Sequence, residues 1–117
     1  MRHHKTNRKF GREKDQRNAL MRSLAYSLVK HGKIETSVAK AKELRPFIEK
    51  LVTGSMKKGA QEAMRFVQSK LPSREVAGML FKTIAPKYKD RKGGYTRIVK
   101  LPQRKSDGSA RAIIEFV

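Results

Sequence analysis

Cysteine is absent from the 117 residues, so neither disulfides nor thiolate zinc sites can staple this small fold, and a reducing compartment is permitted. No apolar run approaches the ~18 residues of a membrane span, and no apolar segment follows the basic N-terminus to make a secretory signal. Residues 1–12 are rich in Arg and Lys and hold no acid, which leaves a mitochondrial presequence as the one targeting reading. Low hydroxyl content and the lack of an apolar face before Ala19 argue against it. Acid is scarce throughout: 10 Asp and Glu stand against 29 Lys and Arg, a formal net charge of +19. Self-repulsion at that density destabilises a compact state unless a polyanion neutralises it. Nucleic acid is the expected partner, with an anionic membrane surface a distant second.

The charge is unevenly spread. Residues 1–58 hold 16 basic and 5 acidic side chains, 59–86 hold 4 and 2, and 87–117 hold 9 and 3, so the two ends face the polyanion and the middle mainly packs. Hydrophobic content of 38% supports one modest core with appendages. MRHHKTNRKFGREK, residues 1–14, has only Met1 and Phe10 as sizeable apolar groups and nothing to offset roughly 1–2 kcal/mol per residue of ordering entropy. A flexible basic arm that orders on its partner is expected over 1–14, followed by a single compact domain over 15–117.

Within that domain, Leu20, Met21, Leu24, Ala25, Leu28 and Val29 recur at helical spacing, with Asp15 as candidate N-cap and Gly32 as stop. KIETS (33–37) alternates as a short strand. Thr36 or Ser37 then caps a second helix whose stripe is Val38, Ala41, Leu44, Ile48, Leu51 and Val52, with a kink expected at Pro46. Residues 60–69 and 73–85 read as two shorter helices, the latter capped by Ser73 and ended by Pro86. YTRIVKL (95–101) and ARAIIEFV (110–117) read as strands joined through an Asp107-Gly108 turn. The expected fold is α+β: a small, mostly antiparallel three-stranded sheet packed against about four helices.

Catalytic and metal chemistry find little footing. Gly93 and Gly94 in DRKGGYTRIVK precede a strand and lack the Lys-Ser/Thr partner of a phosphate-binding P-loop. His3 and His4 are adjacent in the arm, His31 sits at a helix end, and no second cluster completes a tetrahedral site, so no metal or cofactor is expected. The ten acids are scattered, several beside Lys or Arg at helical spacing, and Glu43 and Glu49 read as solvated ion pairs. An enzyme is not expected. The arm is another matter: its charge continues into Arg17 and Arg22 and is interleaved with His3, His4, Asn7 and Phe10, which can hydrogen-bond or stack on nucleotides. Lys40, Lys42, Arg45, Lys57 and Lys58 divide evenly between RNA contact and a merely solvated helix face. Lys87, Lys89, Arg91 and Lys92 place four cations just before the glycines. Arg97 and Lys100 fall on opposite faces of the following strand, so at least one of them must lie at a sheet edge.

MRHHKTNRKFGR, LAYSLVKHGKIETS, KAKELR and above all IAPKYKDRKGGYTRIVKL, in that order, closely resemble large-subunit ribosomal protein seventeen of bacteria over essentially the whole chain. The resemblance implies a non-catalytic structural protein of the cytoplasmic ribosome, monomeric within the large subunit. It would bind the large rRNA near the polypeptide exit tunnel, beside neighbouring large-subunit proteins. Carried over by position, the family's rRNA-binding arm falls on Arg2, His3, Lys5, Arg8, Lys9 and Arg12, and its basic helix positions on Arg17 and Arg22. Its KAKELR segment brings Lys40, Lys42 and Arg45, and its glycine-tyrosine segment brings Arg91, Lys92, Gly93, Gly94, Tyr95 and Arg97. The arm matches the start of the mature family, which removes the presequence reading. Two rivals stand beside this one. A DNA-compacting protein would share the charge but needs a groove-entering helix or ribbon and usually a dimer interface. A small hydrolase or transferase would need convergent acids, histidines or a phosphate loop.

Overall fold

A computed structural model describes residues 13–57 and 59–117 of the chain. The expected arm over 1–14 therefore lies almost wholly outside the described residues, as do Arg2, His3, Lys5, Arg8, Lys9, Arg12 and Lys58. Helix α1 spans Lys14–His31 and ends at Gly32, whose N–H donates to the Leu28 carbonyl at 2.8 Å. Its start departs from expectation. The extended residue at the N-cap is Glu13, whose carbonyl accepts from the Arg17 N–H at 2.9 Å. Asp15 lies within the first turn, where its charge favours the positive end of the helix without capping it.

Strand β1 (Lys33–Ser37) leads directly into α2 (Val38–Lys57), and Ser37 Oγ accepts from the Lys40 N–H at 3.2 Å, the expected cap. Helix α2 runs through Pro46 as one element. Ala41, Leu44, Ile48, Leu51 and Val52 are all buried, as their spacing predicts, and each large apolar side chain among them contributes about 1.5–3 kcal/mol. This helix is the centre of the molecule: it touches α1, α3 (Ala60–Lys70) and all three strands.

The fourth helix differs from the sequence expectation. Ser73 caps α4 (Arg74–Met79) by accepting from the Val76 N–H at 3.4 Å. The chain then widens into a π turn over Leu80–Ile84 and tightens into a 3-10 helix over Ala85–Tyr88. Pro86 does not end the helical segment. It stands in the first turn of the 3-10 helix, where a missing N–H costs nothing. That extra turn carries Tyr88 into the core.

Strands β2 (Thr96–Leu101) and β3 (Arg111–Phe116) are each slightly shorter than the sequence pattern suggests. The sheet order is β1-β3-β2 and both pairings are antiparallel. In register, Ile34, Ile114 and Ile98 line up on the face packed against α2, while Lys33, Glu115 and Arg97 line up on the opposite face. β2 is an edge strand, as expected for a strand with cations on both faces, and Arg97 and Lys100 are both exposed on it.

Candidate nucleic-acid interface

The basic residues singled out from the sequence fall in four places rather than in one pocket. Arg22 is exposed on α1 and lines a shallow cleft with Asp15, Asn18 and Pro72. Arg17 is half-buried in the groove between α1 and α2, and its Nε is buried with no hydrogen-bond partner. Lys42 and Arg45 are exposed on the first half of α2, with Lys40 half-buried at its start. Arg97 lies on the open face of the sheet, where Nε donates to Glu115 Oε1 at 2.7 Å. Among the described residues the ion pairs are Arg97–Glu115, Arg104–Asp107 and Arg111–Glu35, so Arg22, Lys42, Arg45, Arg91 and Lys92 have no carboxylate partner there.

The fourth place is the segment DRKGGY. Arg91, Lys92, Gly93 and Gly94 are exposed, whereas Tyr95 is only 1% exposed. The Tyr95 ring is packed inside the domain. It tilts against Tyr88 at 5.2 Å between centroids, and Tyr88 in turn stacks at 6.5 Å on Phe116. The Tyr88 hydroxyl donates to the Val117 carbonyl at 2.7 Å, and the Val117 N–H donates to the Tyr95 carbonyl at 2.9 Å. Burial holds the Tyr88 hydroxyl above its usual pKa, against the opposing pull of the Arg91 charge. Gly94 has φ 65°, a left-handed conformation that turns the chain into this anchor and that a side chain would strain.

Glu49 corrects the sequence reading. Rather than sitting in a solvated ion pair, it is half-buried and its Oε1 accepts from the Tyr95 N–H at 3.0 Å, tying the segment to α2. No local signal could reveal this, because the partners lie 46 positions apart. Tying the segment down also forms a cleft of about 580 Å3 between it and the C-terminal end of α2. Lys57, Lys89, Arg91 and Lys92 line it together with Thr53, Met56 and Tyr95, and among the described residues no carboxylate does. Of these cations, Lys57 and Lys89 were visible in the sequence only as parts of basic runs; the fold is what brings them beside Arg91 and Lys92.

Among the described residues no group of three or more His, Asp or Glu could hold a metal ion, and no helix is long and apolar enough to cross a membrane. A family model described as "Ribosomal protein L17" matches residues 20–117. The chain belongs to this family. It is 49% identical over 117 residues to the large ribosomal subunit protein bL17 of Gemmatimonas aurantiaca, covering 100% of this chain and 98% of that one. The bL17 proteins of a Hydrogenobaculum species and of Persephonella marina are each 52% identical, again across 100% of this chain and over 99% and 95% of their own lengths. The family is one of large-subunit ribosomal proteins and not of enzymes.

Proposed function

We propose that this chain binds and stabilises the large-subunit rRNA, as a non-catalytic monomer among neighbouring ribosomal proteins in the cytoplasm. Membership of the L17 family supports that reading, and the resemblance suggests a position near the polypeptide exit tunnel. The observation that carries rRNA binding is the exposure, without carboxylate partners among the described residues, of Arg22, Lys42, Arg45, Arg91 and Lys92 on a chain of net charge +19. A soluble monomer needs no such excess, whereas a polyanion neutralises it.

Binding on this reading proceeds by phosphate neutralisation. The arm over 1–14 enters between RNA helices and orders there, and the compact domain fixes its direction of entry. Each phosphate contact releases counterions, so log affinity falls by ~0.7–0.9 per log unit of salt per contact. Recognition is of RNA shape, 2′-hydroxyls and phosphates more than of base sequence. Deleting residues 2–12 and measuring incorporation into large subunits tests the arm: incorporation is expected to drop severely, and undiminished incorporation would refute its role. Salt-matched competition between structured rRNA and duplex DNA tests the partner, with preference for DNA overturning the proposal.

A further inference from the structure

Exposed lysines that serve only solubility need no fixed position, but the cations before β2 are held in place. The Arg91 N–H donates to the Tyr88 carbonyl at 2.9 Å, and the Arg91 carbonyl accepts from the Tyr95 hydroxyl at 3.3 Å. That hydroxyl also lies 3.2 Å from Thr53 Oγ1 on α2, while the Tyr95 N–H is bonded to Glu49 one turn earlier on the same helix. Tyr95 thus bridges helix and loop at three points and sets the width of the cleft between them.

The lining of that cleft is Lys57, Lys89, Arg91 and Lys92 with Thr53, Met56 and Tyr95. Lys57 alone has an ordinary explanation, since a cation in the last turn favours the negative end of a helix. The other three come from a different segment, and bringing four cations to one concavity without an acid is unfavourable unless an anion enters. The volume of about 580 Å3 suits a group of nucleotide size. No exposed ring is offered to a base, because Tyr95 is buried, so the contact is with the backbone.

We propose that this cleft receives a backbone phosphate of folded large-subunit rRNA, with Lys57 and Lys89 as contact residues beside Arg91 and Lys92, and with Tyr95 as the buried positioning residue that fixes their spacing. The proposal rests on the rRNA-binding reading above and deepens it. It separates these four cations from basic residues whose contribution is diffuse.

The test uses the full chain and a transcript of the large rRNA, with affinity measured across a salt series. A Lys57→Gln/Lys89→Gln variant is compared with a Lys70→Gln/Lys105→Gln variant, which removes the same charge from exposed positions outside the cleft. The cleft pair is expected to bind about tenfold more weakly, with the salt slope reduced by about 1.4–1.8, and the control pair to lose less than half as much. Tyr95→Phe, which keeps the packed ring and removes the hydroxyl, is expected to weaken binding in the unaltered background and to add nothing in the cleft variant. Additive losses would overturn its positioning role. Equal losses for the two lysine pairs, or undiminished binding by the cleft pair, would overturn the site while leaving rRNA binding intact. No rRNA binding by the unaltered chain would overturn both.

Discussion

Gly54 on α2 has no room for a side chain: a Cβ there would collide with the ring of Phe66 on α3. Gly78 on α4 is the opposite case, with nothing within 4 Å of the same position. Gly54→Val is therefore expected to destabilise the fold by about 1–3 kcal/mol through overpacking. Gly78→Ala should stabilise it by about 0.4–1 kcal/mol by restricting the unfolded chain. Urea unfolding midpoints decide the matter, and shifts of the same sign at both positions would contradict it. The sequence offers two glycines in helical runs and no means of telling them apart, because the difference lies in a neighbour from another element. Tyr95 repeats the lesson. Its place after Gly-Gly marks the segment as special, yet only the burial of the ring decides between packing and stacking.

At the scale of elements, the apolar stripes of α1 and α2 were legible because each is long enough for its spacing to fix a face. Ser37 and Ser73 as caps were legible for a local reason as well, since a cap bonds to residues three positions on. The end of the fourth helix was not. A proline reads as a terminator, but Pro86 opens a new turn instead, and the register gained brings Tyr88 under β3. The strand order β1-β3-β2 was equally hidden, because alternation specifies which face is buried and not which strand is adjacent. Joining the 3-10 helix to the C-terminus through Tyr88 makes stability sensitive to alkali. The folded chain holds the Tyr88 proton more tightly than the unfolded chain, whose value is near 10.0. This contribution is whole below pH 10.0 and is lost as pH rises through the higher folded value. Tyr88→Phe should abolish that component of the alkaline loss, as read from thermal midpoints between neutral pH and pH 11, and identical alkaline profiles for the two proteins would refute it.

For the whole molecule, one charge imbalance has two opposite salt responses. Screening relieves self-repulsion in the free chain, so its thermal midpoint should rise with ionic strength, while affinity for rRNA falls over the same range. Melting curves of the free chain from low to moderate salt test the first half, and a midpoint that dropped would show self-repulsion to be unimportant. Composition alone pointed to a polyanionic partner, but it could not say which cations are spent in pairs, such as Arg97 with Glu115 and Arg111 with Glu35. The position of β2 at the rim of the sheet bears on the interval between synthesis and assembly. Among the described residues no strand pairs with its outer side, leaving the kind of edge onto which a second copy could add and grow into fibrous aggregates. Lys100 is exposed on β2, and two such edges approaching each other would bring like charges together. Cations suited to a polyanion thus also keep newly made copies of the chain apart until one is reached.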